Sequence, residues 1–337
     1  MNTPHFAPAP PMPRLNNAPA QMGRDGACII CGSPEWTLVV RSEDVEYHCK
    51  PGPFDVVQCD RCGHTYAHPV PAYEDIPSIY PNTYYTVNKK SPLYLDGWIY
   101  EKKLGQDARK LRDSLRGHRI RSIVDVGCGE ISRLIELKRA FGNDVEAIAL
   151  DIQFDDDIVR GAKENGIKLV HGNVETDLNA LQDGAHDLII MRQLLEHLRD
   201  PQCAVSGLAR KLAPGGLMII DTPNRGGWDY HIFKNQHWGG YHIPRHFHLF
   251  RQHSLVKLIE RAGLNVYKKG YLPSMGFWII SLRNMLGLNS IAAGSSFFEF
   301  LRYKNLFVSG FFIALDTIRA KLGLETSNQL IIAQKPT

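Results

Sequence analysis

Ile123-Val124-Asp125-Val126-Gly127-Cys128-Gly129 is followed, 22 residues beyond its last glycine, by Asp151 at the end of a second apolar run. An apolar strand entering Gly-x-Gly and then a helix lets backbone amides approach a ligand, and an acidic side chain beyond the next strand can accept from two ribose hydroxyls. Such a pattern reads as a site for a nucleoside cofactor. Gly-x-Gly turns also serve tight packing, so the segments downstream have to decide.

Those segments alternate as an α/β domain requires. Val145 to Leu150 reads as a second strand, the stretch from Asp155 to Asn165 as a helix, and Lys168 to His171 as a third strand. Asp187 to Met191 is a continuous apolar strand, a helix starts near Asp200-Pro201 and ends at Pro214-Gly215-Gly216, and Leu217 to Ile220 is a fifth strand. Alternating strands and helices imply a mostly parallel sheet covered on both faces, with the ligand at the carboxyl ends of the strands.

At this point the chain resembles the class I S-adenosylmethionine-dependent methyltransferases. The resemblance runs from about Ile120 to the C-terminus and rests on VDVGCG at 124 to 129, Asp151, HDLIIMRQLLEHLRDP at 186 to 201 and LAPGGLMIIDTPN at 212 to 224. It implies a Rossmann-like seven-stranded sheet, mostly parallel with an antiparallel last strand, and S-adenosyl-L-methionine as cofactor. Gly127 and Gly129, with Cys128 between them, would receive the methionine end, and Asp125 would orient that turn or reach the amino group. Asp151, followed by Ile152, would hold the ribose; Asn173 and Val174 would flank adenine, and Arg192 and Gln193 would line the pocket. A nicotinamide dehydrogenase is the competitor for the glycine turn, but its usual third glycine is missing. Many of these methyltransferases carry a further glycine where this chain has Ile131, which should alter the hold on the methionine portion or shift the helix start.

Composition sets outer limits. The 337 residues can hold two domains, 44% hydrophobic content supports a substantial core, and a net charge of +4 without a basic stripe gives no argument for nucleic acid. The first 26 residues are proline-rich, lack a signal-peptide apolar stretch and read as a disordered tail. No apolar run approaches the ~20 residues needed to span a bilayer, so a cytoplasmic protein is expected.

Cysteine spacing identifies a second module. Cys28-Ile29-Ile30-Cys31-Gly32 and Cys59-Asp60-Arg61-Cys62-Gly63 are two Cys-x-x-Cys-Gly knuckles with 27 residues between them. Each can place two thiolates on one tetrahedral ion, with glycine permitting the left-handed turn that follows, so Cys28, Cys31, Cys59 and Cys62 are expected to form a closed structural zinc site. Two disulfides or unrelated buried thiols are the alternative. His48 and His64 are close enough to compete as ligands, but four cysteines complete the shell.

The resemblance extends here to methyltransferases of surface-polysaccharide and deoxysugar pathways, which often begin with such a zinc module and a tyrosine-rich segment. In the related sugar C-methyltransferases those tyrosines close over cofactor and substrate, which makes Tyr80, Tyr84 and Tyr85 candidate lid residues or, equally, a packing seam. Those enzymes carry a further C-terminal domain with no counterpart in this sequence, which puts sugar C-methylation in doubt. The implied division is a zinc module over 27–75, a tyrosine-rich linker and covering helix over 76–118, and a methyltransferase domain over 119–337.

After the fifth strand the chain becomes rich in aromatics and histidine, from Trp228 to His248, and this loop should form the acceptor pocket. A hydroxyl acceptor needs a base, and His246 is the first candidate, His242 the second and His197 the third, each weighed against a histidine that simply satisfies backbone carbonyls. Tyr241 is a candidate for acceptor contact, and Arg245 for a clamp on an acidic acceptor group or for an ion pair with a local acid.

Leu264 to Tyr271 and Gln329 to Ala333 read as the sixth and seventh strands, with an insertion over 273–326 holding helices at Met275 to Leu286 and Leu306 to Leu322. Its apolar face packs on the domain or a twin subunit, or serves as a greasy surface for a lipid-linked acceptor or peripheral membrane contact. Three functional classes follow: a methyltransferase for a small-molecule or glycan acceptor, acting on oxygen; an RNA methyltransferase, disfavoured by Met191-Arg192-Gln193-Leu194 at the fourth strand's end; and a non-catalytic cofactor-binding protein.

Overall fold

The structure, a computed structural model, describes residues 26–80, 97–287 and 306–337. The tail, Tyr84 and Tyr85 lie outside the described residues.

Three strands open the chain, β1 (Trp36–Ser42), β2 (Phe54–Cys59) and β3 (Thr65–His68), followed by the short helix α1 (Ile76–Ile79) and the long helix α2 (Gly97–Ser114). The alternating core then runs β4 (Ser122–Val126), α3 (Ser132–Phe141), β5 (Glu146–Asp151), α4 (Asp156–Glu164), β6 (Ile167–His171), β7 (His186–Arg192), α5 (Pro201–Lys211) and β8 (Leu212–Pro223). It is completed by α6 (Trp228–Phe233), β9 (His248–Leu249), α7 (Gln252–Arg261), β10 (Asn265–Leu272), α8 (Gly276–Met285), α9 (Leu306–Lys321) and β11 (Asn328–Gln334).

Seven strands form one sheet in the order β10-β11-β8-β7-β4-β5-β6. β4, β5, β6, β7 and β8 are parallel, and β11 enters antiparallel between β8 and β10. This is the Rossmann-like methyltransferase sheet. Every residue of β4 is buried, as a strand covered on both faces must be. The local signals act as expected at two helix starts: Asp155 accepts from the Ile158 amide at 2.7 Å, and Asp200, ahead of Pro201, accepts from the Cys203 amide at 2.8 Å. β8 departs from the expectation. It begins at Leu212, before the Pro214-Gly215-Gly216 run read as a helix end, because the segment pairs on both sides: Leu212 faces His186 of β7, and Lys335 exchanges hydrogen bonds with Gly215 and Gly216.

A second, four-stranded antiparallel sheet, β1-β2-β3-β9, joins the N-terminal module to the methyltransferase core. Its fourth strand comes from the histidine-rich loop, with Thr65 opposite Leu249 and Tyr66 opposite His248. The union is also apolar: Cys28, Ile30, Val57, Cys59 and Tyr66 share one buried cluster with Ile220, Phe250 and Leu255. Arg261 of α7 donates to the carbonyls of Ile29 at 3.0 Å and Ile30 at 2.9 Å, reaching into the first cysteine knuckle. Helix α2 covers α3, its Ala108 clustering with Leu134 and Leu137.

The two helices of the insertion cap the aromatic loop. Trp278 of α8 and Phe312 of α9 stack at 5.0 Å between ring centroids, in a cluster with Tyr230, Trp238, Tyr241 and the N-terminal Val40 and Val56. Helix α9 turns polar groups inward. Asp316 accepts from the Trp278 indole at 3.3 Å, and Arg319 donates to the Glu325 carbonyl at 2.7 Å. Its outer face carries the exposed Phe311 and Ile318, and the exposed Leu322 follows directly after it. Among the described residues no helix is long and apolar enough to cross a membrane.

Candidate functional site

The glycine turn sits at the carboxyl end of β4, where parallel strands leave a crevice for ligands. Gly127 and Gly129 both hold left-handed backbone, φ 65° and 57°. They are required for different reasons. A Cβ at Gly127 would lie 2.8 Å from Leu194 Cδ2, whereas one at Gly129 would meet nothing within 4 Å and would project into the open cradle. Asp151, at the end of β5, accepts from the Gly129 amide at 2.9 Å and from the Ile152 amide at 2.7 Å, which aims its carboxylate at the same cradle. Ile152 beside it is 60% exposed, an apolar side chain at the rim. The buried Asp125 has one carboxylate oxygen without a partner among the described residues, and burial pushes it up to about 6 against the pull of Arg133 and Arg192.

Arg192 and Gln193 converge on one acid. Arg192 Nε and Gln193 Nε2 donate to the two oxygens of the buried Asp221 at the end of β8, at 2.5 and 2.9 Å, and Gln193 itself takes a left-handed φ of 49°. Asp221 went unassigned in the sequence because an acid at the end of an apolar strand has no partner until β7 and β8 are adjacent. Cys128 and Val174 point into the core, and Asn173 caps its own turn by accepting from the Glu175 amide at 2.9 Å. Ile131 is buried between α3 and α4, its Cγ2 atom 3.1 Å from where a Cβ at Gly161 would stand. The residue in place of the usual glycine therefore packs the core and does not face the cradle, and α3 starts at the next residue.

The fit of S-adenosylmethionine to these residues rests on the cradle that a Cβ at Gly129 would fill, the unpaired buried oxygen of Asp125, and the oriented carboxylate of Asp151. A sulfonium ligand with an amino group and two ribose hydroxyls needs carboxylates and backbone amides of this kind.

The histidines gather just beyond β7 and β8. His197 lies 4.7 Å from His246 and 6.2 Å from His242, ring centroid to ring centroid, and His242 lies 4.9 Å from His246. Glu196 beneath them is fully buried and accepts from the Thr222 hydroxyl at 2.9 Å. Its neighbours of low polarity push its carboxyl up to about 8. Burial, with His242 adding like charge, holds His197 down to about 3, and burial together with His197 and His242 holds His246 well below the usual imidazole range. The Tyr80 hydroxyl reaches His197 Nδ1 at 3.0 Å, which places one of the three candidate lid tyrosines at this cluster.

Two acceptor candidates are bound elsewhere. Arg245 is 0% exposed and makes a paired contact with Asp44 at 2.6 and 3.1 Å, with its guanidinium 4.5 Å over the Tyr47 ring. Of its two readings, the ion pair is the one seen. Tyr241 is buried against Trp238 and Tyr230 and donates to the Lys234 carbonyl at 2.8 Å. His242 pairs with Glu46 at 2.8 Å, a second tie to the N-terminal module.

The four cysteines come together. Cys28 and Cys62 sulfurs are 3.5 Å apart, Cys31 and Cys59 sulfurs 3.4 Å, and all four lie within 4.8 Å of one another. A tetrahedral zinc–sulfur site with ~2.3 Å bonds has sulfur–sulfur edges of about 3.8 Å. Gly32 and Gly63 take the left-handed φ, 73° and 71°, and their amides close each knuckle on the carbonyls of Cys28 and Cys59. His64 turns away to His248, with 3.2 Å between ring nitrogens.

A family profile described as a methyltransferase domain matches residues 100–269. The ubiquinone biosynthesis O-methyltransferase of Xanthomonas oryzae pv. oryzae is 34% identical over 108 residues, which cover 31% of this chain and 43% of that protein. The protein of the same name from Bordetella avium is 32% identical over 136 residues, 40% of this chain and 51% of that one, so the chain spans about half the length of these curated relatives. That of Methylococcus capsulatus is 29% identical over 186 residues, 51% of this chain and 76% of that one. Among solved structures, a SAM dependent methyltransferase from Archaeoglobus fulgidus shares 18% identity at a TM-score of 0.43, covering 71% of this chain and 99% of that one. With its sheet order and half of its length matched by the family profile, the chain belongs to the methyltransferase-domain family.

Proposed function

We propose that the chain is an S-adenosylmethionine-dependent methyltransferase acting on an oxygen of a small-molecule acceptor. One observation carries the reading: the cradle at Gly129 and Asp151 and the cluster of Glu196, His197 and His246 both stand at the carboxyl ends of the central strands of one sheet. The bound cofactor supplies an electrophilic methyl group. The chain's part is to hold it, to exclude water and to handle the acceptor's proton. Gly127, Gly129, Asp125 and Asp151 would hold the cofactor, Arg192 and Gln193 brace the wall through Asp221, and the exposed Ile152 would cover the adenosine.

His197 and His246 each hold Nδ1 to a backbone carbonyl, which leaves their Nε2 lone pairs to polarise the acceptor hydroxyl. Oxygen as the target agrees with the names of the ubiquinone biosynthesis O-methyltransferases. A lipid-linked acceptor is a second reading, favoured by the outward apolar face of α9 at Phe311 and Ile318, which Leu322 extends. The cysteine cluster is assigned a structural zinc that locks the N-terminal sheet onto the core, with no direct part in the chemistry.

The test is uptake of labelled methyl from S-adenosylmethionine by separate pools of phenolic and catechol small molecules, glycans, lipid extract and RNA. Label as an O-methyl ether in the small-molecule or lipid pool is expected. Label in RNA alone would overturn the acceptor class, and absence of S-adenosylhomocysteine binding in calorimetry would overturn the cofactor assignment.

A further inference from the structure

We propose that Glu196, His197 and His246 form a divalent-cation site of the two-histidine, one-carboxylate kind beside the cofactor cradle. One ligand atom from each lies within 4.8 Å of the others, spacing that a single ion can bridge. The histidines are already oriented. His197 Nδ1 is 3.0 Å from the Arg245 carbonyl oxygen and His246 Nδ1 is 2.8 Å from that of Gly240. A carbonyl can only accept, so each Nδ1 carries the hydrogen and each Nε2 is left as a lone-pair donor. The Tyr80 oxygen, 3.0 Å from the same Nδ1 of His197, fits as a second acceptor of that N–H. Histidines that ligate metals donate their other N–H in this manner, which fixes tautomer and ring orientation.

Glu196 supplies an independent observation. It is 0% exposed; one oxygen accepts from Thr222 at 2.9 Å, and the other, also buried, has no partner among the described residues. A buried carboxylate oxygen left unpaired is unfavourable, and a cation at the histidine nitrogens satisfies it. The frame is held together across the sequence, since the Phe247 amide donates to the Glu196 carbonyl at 2.7 Å and so ties the segment of His246 to that of His197.

Two nitrogens and one oxygen suit manganese, iron(II), cobalt or zinc better than calcium or magnesium. The site itself does not depend on methyl transfer. Its role does: resting on the preceding reading, the cation coordinates an acceptor hydroxyl through a position the three side chains leave open. The coordinated O–H bond breaks with its proton going to water, which leaves the oxygen nucleophilic next to the cofactor.

The experiment is Mn2+ titration of the full, zinc-loaded chain, followed by electron paramagnetic resonance of the free ion. Thiolates are poor ligands for Mn2+, so the cysteine cluster stays silent. One bound Mn2+ per chain is expected, weakened at least about tenfold in E196Q and in H246A. E196Q keeps the Thr222 hydrogen bond, and thermal melts check that it folds. No Mn2+ binding by the wild type at millimolar ion, or equal binding by folded E196Q, would overturn the site. Binding with methyl transfer insensitive to the ion would overturn its role, and binding in a protein that transfers no methyl to any pool would count against the functional reading while leaving the site intact.

Discussion

Removing Arg245 should unfold the union between the N-terminal sheet and the methyltransferase core before it touches catalysis. The guanidinium is 0% exposed and the Asp44 side chain 1%, with contacts of 2.6 and 3.1 Å, so each charge is out of water and relies on the other. Deleting one partner of such a pair leaves an uncompensated buried charge, which costs about 3–5 kcal/mol. R245A also loses the stack over Tyr47 at 4.5 Å. That contact contributes about 1 kcal/mol, while D44A strands the Tyr47 and Cys49 amides that donate to its carboxylate at 3.2 and 2.9 Å, so the two single losses should be similar. The double variant strands neither charge. Its loss should therefore stay near that of one single variant, giving a coupling energy of about 3 kcal/mol where additivity would give none. Equilibrium urea unfolding of the zinc-loaded protein at pH 7 measures all four corners. Single losses below about 1 kcal/mol, or a double variant equal to the sum of its parts, would refute the argument. An R245A protein of normal stability with a raised acceptor KM would instead return Arg245 to the acceptor pocket.

Three further outcomes follow from the same geometry. G127A should lose about 1–3 kcal/mol, since a Cβ there meets Leu194 at 2.8 Å on left-handed backbone, while G129A, with open space around it, should lose less stability but most of its cofactor affinity; paired melts and S-adenosylhomocysteine calorimetry separate the two. D151A should lose cofactor affinity with little change in melting temperature, and unchanged binding would remove the ribose role. Burial pushes Asp229 up to about 6, so between about pH 4 and 6 the native state keeps a proton that the unfolded chain has released, and stability falls as pH rises through that window. D229N, which keeps an oxygen for the Trp238 indole, should therefore match the wild type below pH 4 and exceed it by up to about 3 kcal/mol above pH 6; pH-dependent denaturation that shows the opposite slope would reject the assignment.

What could be read from the chain itself was whatever depends on near neighbours. Gly127 and Gly129 announce a tight turn after a strand, the continuous apolar run from Asp187 to Met191 announces a strand covered on both faces, and Asp155 and Asp200 announce helix starts, because propensity, capping and periodicity act over a few residues. The paired knuckles at 28–31 and 59–62 are legible for the same reason, each being a local turn with its own chemistry. Tertiary structure decided what depends on partners distant in sequence. Arg245 belongs to Asp44, 201 positions away; Ile131 belongs to the core; and the two-residue strand at His248–Leu249 exists only because β3 offers it an edge. The same is true of Glu196, His197 and His246. In the sequence they are a dipeptide and a lone histidine, and only the fold, by burying the acid without a second partner and turning two rings with their N–H groups onto carbonyls, makes them one site.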